Sequence, residues 1–282
     1  MKTIREILKL STDYLEGKKI AEPRRQAEEL LADFLGLKRL ELYLDFDRPM
    51  EMREIDLFRE RLRKRGKGEP IPYIQGEIEF YNCTIKLTPD VLIPRQETEL
   101  LTDQIVNDLK GIPLRGLRLW DICCGSGCLG IALKNALPEL EVTLSDISEK
   151  ALAVAKENAE RNEVRVKCLQ GDLFDPFKGE KTNFIVCNPP YVSEREWESL
   201  DREVKDFEPK QALVPGPTGL EFYIRFADEL RDYLLPRGRV WLEIGYNQGP
   251  HILKIFNLNG WTRCSVLKDW AGHDRFFFLE NE

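Results

Sequence analysis

From Thr98 to its end the chain alternates between two hydrophobic periods, and that alternation confines this stretch to an α/β fold. Leu100, Leu101, Ile105 and Leu109 recur at helical spacing. Residues 117–122 follow as a short apolar run of strand type. The pattern then repeats: helix 128–137, strand 141–145, helix 149–161, and strands 164–169 and 184–187. Helix 220–235, strand 239–244, a helix about His251 to Phe256 and two closing strands, 264–267 and 276–279, complete it. Strands separated by helices pair mostly in parallel and carry helices on both faces, so a doubly wound, Rossmann-like sheet is expected over residues 96–282.

The first 68 residues lack strand patterning. Ile4, Ile7, Leu8 and Leu15 share one helical face. Pro23 opens a second helix, whose apolar face is Ala27, Leu30, Leu31, Phe34 and Leu35, and Gly36 closes it. Ile55, Phe58 and Leu62 line a third that Gly66 ends. A small helical bundle, residues 1–68, is expected. The basic run from Arg59 to Lys67 reads as a solvated helix end, its cations set against the negative end of the dipole. Residues 69–95 read as a linker with a β-hairpin, because Pro70, Pro72, Gly76, Pro89 and Pro94 punctuate short extended runs.

Charge narrows the partners. The net formal charge is −7. Residues 1–70 carry 17 basic and 15 acidic side chains, and the remainder carries 25 and 34. A long nucleic-acid groove needs the opposite balance to displace counterions, so stable nucleic-acid binding is not expected. No apolar run approaches the roughly 20 residues that cross a bilayer, and the N-terminus lacks a signal-peptide pattern. A cytoplasmic protein, monomeric and free of membrane, is expected. Seven cysteines without a C-x-x-C, and two histidines, argue against a metal site. Buried free thiols are the simpler reading.

Two strand ends carry chemistry. The first strand runs into Cys123-Cys124-Gly125-Ser126-Gly127, and glycines at a strand-to-helix turn allow a sharp bend and close approach of a ligand. The second strand ends in Asp146, 21 residues after Gly125, where an acid takes the ribose hydroxyls of an adenosine-containing cofactor. Gly125, Gly127 and Gly130 leave a dinucleotide formally open. The turn resembles the D-x-G-x-G-x-G motif of class I methyltransferases that use S-adenosyl-L-methionine, with Cys123 replacing the first glycine. The resemblance continues into Asp172 and Leu173 after the third strand, where that class places groups around the adenine.

The fourth strand ends in Asn188-Pro189-Pro190-Tyr191. Pro-Pro by itself merely ends a strand and stiffens its exit. At the switch point of an α/β sheet, however, this turn faces the ligand crevice. It resembles the Asp/Asn/Ser-Pro-Pro-Tyr/Phe signature of methyltransferases that modify planar amino groups. An amide nitrogen is a poor nucleophile, and its two N–H groups need two aimed acceptors. The Asn188 side-chain carbonyl and the Pro189 backbone carbonyl supply them. Pro190 stiffens the turn and Tyr191 stacks on the flat target.

A closer resemblance covers nearly the whole chain. Pro72 to Gly76 with Glu79-Phe80, the segment Leu92 to Glu99 (Ile-Pro-Arg-Gln-Glu-Thr-Glu, with Gln96 for a second proline), Glu208-Pro209, Glu243-Ile244-Gly245 with Gln248, and Asp269 with Arg275 are together similar to the HemK/PrmC family of release-factor glutamine N5-methyltransferases. The resemblance implies S-adenosyl-L-methionine as cofactor, peptide chain release factors as protein substrate, the glutamine of their Gly-Gly-Gln motif as methyl acceptor, and a helical domain that docks the factor. It also implies a loop, roughly Val192 to Pro217, over the site. The rivals are a DNA or RNA amino methyltransferase, a non-catalytic module that binds the cofactor or a release factor, and an NAD enzyme.

Overall fold

The computed structural model describes residues 2–282 and divides into two compact units, Met1–Glu77 with Arg202–Phe207, and Ile78–Asp201 with Glu208–Glu282.

The first unit opens with a two-residue strand β1 (Lys2–Thr3) and helix α1 (Ile4–Gly17). Thr3 and Glu6 form a reciprocal capping box, at 3.3 and 2.9 Å, which satisfies two amides at the helix start. Ile4, Ile7, Leu8 and Leu15 are buried as their spacing requires. Helix α2 (Pro23–Leu35) begins on its proline and ends at Gly36, whose φ of +67° makes the left-handed cap. Strand β2 (Pro49–Met50) pairs with β1, and α3 (Met52–Gly66) and the short α4 (Ile71–Gln75) complete the bundle. The core gathers Ile4, Leu8, Leu30, Leu31, Phe58 and Ile74.

One member of the basic run departs from expectation. Arg65 is buried rather than solvated. Its guanidinium donates to Gln26, to the Glu69 carbonyl at 2.8 Å and to Glu203 at 2.6 Å. Five guanidinium donors in a rigid fork can serve three partners at once, so burial is tolerated where a solvated lysine would not be.

In the second unit a two-stranded sheet of β3 (Glu77–Phe80) and β4 (Cys83–Lys86) precedes α5 (Gln96–Leu109). The alternation then delivers β5 (Arg118–Ile122), α6 (Cys128–Ala136), β6 (Glu141–Asp146), α7 (Glu149–Arg161), β7 (Lys167–Gln170) and β8 (Thr182–Cys187). After α8 (Glu194–Ser199) and α9 (Arg202–Phe207) come α10 (Glu221–Glu229), β9 (Leu234–Glu243), α11 (Gly249–Leu258), β10 (Cys264–Lys268) and β11 (Asp274–Glu280). The seven-stranded sheet has the order β10-β11-β9-β8-β5-β6-β7. Strands β5 to β9 run parallel; β11 is antiparallel to β9, and β10 to β11.

Several stretches differ from the sequence expectation: residues 71–75 of the expected linker form α4 in the helical unit. The strand expected from Val164 starts at Lys167, because Val164 is used to close α7: its amide donates to the Ala159 carbonyl across Glu163 at φ +55°. The helix expected to Leu235 stops at Glu229 and a 3-10 turn, since Leu234 already pairs with Thr182 of β8. The stretch Val192 to Pro217 is not a plain loop. Ser193 and Glu196 form a capping box that starts α8, and α9 belongs to the helical unit, with Glu203 on Arg65.

Candidate active site

Register builds the site. Ile122 of β5 lies opposite Cys187 of β8, so the turn after β5 and the segment after β8 leave the sheet side by side. The strand order reverses here, between β5 and β8, and the carboxyl ends of the strands open a crevice.

The turn after β5 is tied to the end of β6. Cys124 donates its amide to the Ser145 carbonyl at 3.0 Å, and Gly125 donates to Asp146 Oδ2 at 2.9 Å. Asp146 Oδ1 accepts from the Ser148 amide, so the acid also orders the start of α7. Gly125 has φ +53°, and a Cβ there would meet nothing within 4 Å: the backbone faces open space, room that a ligand can occupy. Gly127 is crowded instead: a Cβ there would lie 3.0 Å from Ile131 and 3.1 Å from Ala155. Cys123, where the family motif has its first glycine, sits at φ +59°. A side chain pays about 1–2 kcal/mol in that region, which is the reason glycine is the usual occupant. Burial pushes the Cys124, Cys128 and Cys187 thiols up, which makes them inert.

Two cavities meet at Cys123. One, of about 220 Å³, is walled by Asp146, Ile147, Asp172, Leu173, Pro190 and Phe222. Ile147 is 49 % exposed, and Asp172 is held by Arg225 at 2.7 Å. Apolar side chains such as Ile147, Leu173 and Phe222 suit a flat base, and the Asp146 carboxylate suits a ribose diol, so the residues present fit the nucleoside part of S-adenosyl-L-methionine. Burial raises the Asp146 pKa, opposed by the amides of Ser148, Gly125 and Ile147. The second, about 50 Å³, is lined by Cys124, Ser126, Thr98, Asp121 and Asn188. Asp121, at 1 % exposure, accepts from the Gly130 amide at 2.8 Å, and burial pushes its pKa up to about 8.

The segment after β8 is held from behind. The Asn188 side-chain nitrogen donates to Thr98 Oγ1 at 3.3 Å, and Thr98 Oγ1 donates to Glu243 Oε2 at 2.7 Å. The Tyr191 hydroxyl donates to Glu243 Oε1 at 3.2 Å, and burial raises its pKa. Pro189 is buried. Gln248 donates from Nε2 to the Tyr191 carbonyl at 2.9 Å and to that of Gly219 at 3.2 Å, while its Oε1 accepts from Gly245. An amide held through its nitrogen keeps its carbonyl available to accept from a substrate N–H.

Of the residues singled out from sequence, Cys123, Asp146, Asp172, Leu173 and Pro190 line the larger cavity and Cys123, Cys124, Gly125, Ser126 and Asn188 the smaller, whereas Gly127, Pro189 and Tyr191 line neither. Four neighbours escaped notice as contributors to the site: Thr98, Ile147, Glu243 and Gln248. Three of them stand in motifs that the family resemblance quoted, but nothing local marks them as contacts of a turn more than 50 residues away.

Comparison with known proteins identifies the family of the chain. The family model described as Methyltransferase small domain matches residues 96–204, and the PrmC N-terminal domain matches residues 6–76. A protein of Chlamydia trachomatis serovar D named release factor glutamine methyltransferase is 44% identical over 280 residues, 99% of this chain and 94% of that protein. One of the same name from Geobacter sulfurreducens is 37% identical over 273 residues, 97% of this chain and 95% of that protein. Among solved structures, a methyltransferase of Pyrococcus furiosus shares the fold, with a TM-score of 0.51 at 20% identity over 70% of this chain and 88% of that one. With near-complete coverage at such identity, the chain belongs to the release factor glutamine methyltransferase family.

Proposed function

We propose that this enzyme moves the methyl group of S-adenosyl-L-methionine to the side-chain amide nitrogen, N5, of the glutamine in the Gly-Gly-Gln motif of peptide chain release factors. The observation that carries the proposal is the Asn188 amide, anchored through its nitrogen at the carboxyl end of β8 and beside the turn after β5. The names of the near-full-length relatives support the substrate.

S-adenosyl-L-methionine supplies an electrophilic methyl carbon on a sulfonium. Asp146 takes its ribose hydroxyls, Ile147, Leu173 and Phe222 take the faces of the base, and the turn from Cys123 to Gly127 takes the methionine part. Asn188 Oδ1 and the Pro189 carbonyl accept the two N–H groups of the glutamine amide. They turn its nitrogen toward the methyl carbon and stabilise the positive charge that grows on it. Pro190 stiffens the turn, and Tyr191 borders the flat target. Formation of the bond from N5 to the methyl carbon would be matched by breakage of the methyl–sulfur bond, whose electron pair would stay on sulfur in the leaving S-adenosyl-L-homocysteine; the amide nitrogen would then give up one N–H proton to solvent, so no side-chain base is needed at the outset. The helical unit docks the factor. In it lies an apolar cavity of about 680 Å³ lined by Ile7, Leu10, Tyr14, Met52 and Leu62. The enzyme acts as a monomer, in the cytoplasm, where release factors work. Among the described residues no helix is long and apolar enough to cross a membrane.

The test is methyl transfer from labelled S-adenosyl-L-methionine to intact release factor, to the same factor with its Gly-Gly-Gln glutamine changed to alanine, and to duplex DNA and RNA. Label is expected on the first alone. Label on nucleic acid would keep the chemistry and overturn the substrate. In the same assay Asn188→Ala is expected to cut turnover by about 100-fold, with cofactor affinity retained, whereas Asp146→Ala weakens the cofactor. Normal activity in both would sink the site assignment.

A further inference from the structure

A buried carboxylate lies behind the catalytic turn, and transfer of the methyl group does not call on it. Glu243, at the end of β9, is 1 % exposed, and Thr98, in the first turn of α5, is equally buried at 1 %. Burial raises the Glu243 pKa, and Thr98, Arg275 and Tyr191 pull it back. A buried charge is kept only where hydrogen bonds compensate it, so its two bonds, to Thr98 and to Tyr191, are the reason it is tolerated here.

The direction of those bonds carries information. A threonine hydroxyl has one proton to give. Thr98 gives it to Glu243 Oε2 at 2.7 Å. Only lone pairs are then left toward Asn188, so the Asn188 amide must present its nitrogen to Thr98, as it does at 3.3 Å. Its carbonyl oxygen points the other way. A side-chain amide turned over by 180° keeps its shape and exchanges acceptor for donor. A turned Asn188 would set its carbonyl oxygen against the lone pairs of Thr98 and aim N–H at the N–H of the glutamine amide. Glu243 Oε1 meanwhile accepts from the Tyr191 hydroxyl at 3.2 Å, three residues further on.

We infer that Glu243, acting through the Thr98 hydroxyl, sets which way round the Asn188 amide faces, and that the same carboxylate anchors Tyr191. Thr98 and Glu243 are positioning residues: neither needs to touch the substrate. The inference rests on the proposed role of Asn188 as an acceptor for the glutamine amide.

Two readouts on the full-length enzyme test it. The first is the turnover of Thr98→Val and Thr98→Ser with release factor. Valine keeps the shape and removes the hydroxyl; serine keeps the hydroxyl. Thr98→Val is expected to lose roughly 100-fold in kcat, the scale of one transition-state hydrogen bond, with cofactor affinity unchanged. Thr98→Ser is expected to restore most of it. Should the stranded charge of Glu243 unfold Thr98→Val, the double variant Thr98→Val/Glu243→Gln removes that charge and is expected to show the same loss. A kcat close to wild type in the valine variants, or equal losses with valine and serine, would overturn the inference.

The second readout is the side-chain NH2 signal of Asn188 in asparagine-labelled protein, assigned by its absence from Asn188→Ala. One proton of the pair is expected to exchange slowly with water in the wild type and in Thr98→Ser, and fast in Thr98→Val. An unchanged pair in Thr98→Val would overturn the hydrogen-bond chain. Should the wild type label no release factor, the functional reading falls, and the amide signal alone decides the chain.

Discussion

Asp121 sits beneath the turn after β5, and its carboxyl group is held in the neutral form by burial. Its pKa is pushed from 3.8 up to about 8, against the opposing pull of the Gly130 amide. Between the ordinary carboxylate range and about pH 8 the folded chain holds a proton that the unfolded chain has released. Stability from this residue is therefore present at low pH and is lost as pH rises through that window, then levels off. Asp121→Asn keeps an acceptor for Gly130 and removes the titration. Thermal unfolding followed across that pH range should fall less steeply in the variant than in the wild type; identical slopes would mean that Asp121 ionises normally. At this scale the sequence was informative wherever residue type and position coincide. Asn188, Gly125 and Asp146 announce themselves because few other side chains suit a strand end. Cys123 was legible as a departure from a motif, but its φ of +59° was not, since backbone strain leaves no mark in composition.

The elements around the site depend on one close approach. A Cβ on Gly219, just before α10, would lie 2.5 Å from the Tyr191 carbonyl oxygen, and the residue has φ +79°. Gln248 bridges the same two carbonyls. Gly219→Ala should therefore displace the segment after β8 and cost about 1–2 kcal/mol for the left-handed backbone alone, with turnover falling more than cofactor affinity. Calorimetric unfolding together with steady-state kinetics checks both; an alanine variant of wild-type stability and kcat would show that the segment yields freely. Element types were legible from hydrophobic period nearly throughout the second unit. Boundaries were not, where a residue is claimed by a neighbour in space. Val164 suits a strand but closes α7, and Leu234 suits the end of a helix but pairs with Thr182.

At the scale of the whole molecule, the helical unit has an apolar cavity whose rim exposes Leu10 at 48 % and Met52 at 70 %. If this is where the release factor docks, Leu10→Asp with Met52→Glu should raise KM for release factor by about tenfold, or 1.4 kcal/mol, and leave kcat and cofactor affinity alone. Both residues are exposed, so the fold should persist. An unchanged KM would place docking elsewhere. The helical unit also takes in α9, from far along the chain. A deletion of residues 1–68 would strand Glu203 without Arg65, which makes point changes the cleaner probe.

By itself the sequence determined the alternation that makes a doubly wound sheet, the glycine turn after β5, and an amide with two prolines at the end of β8. All are local, because hydrophobic period and turn chemistry act over a few residues. Only the tertiary structure decided which distant groups hold those pieces. Thr98 meets Glu243 across 145 residues and Arg65 meets Glu203 across 138. Such pairs leave no period to read, and their hydrogen bonds form only after the sheet and the bundle have brought the partners within 3 Å.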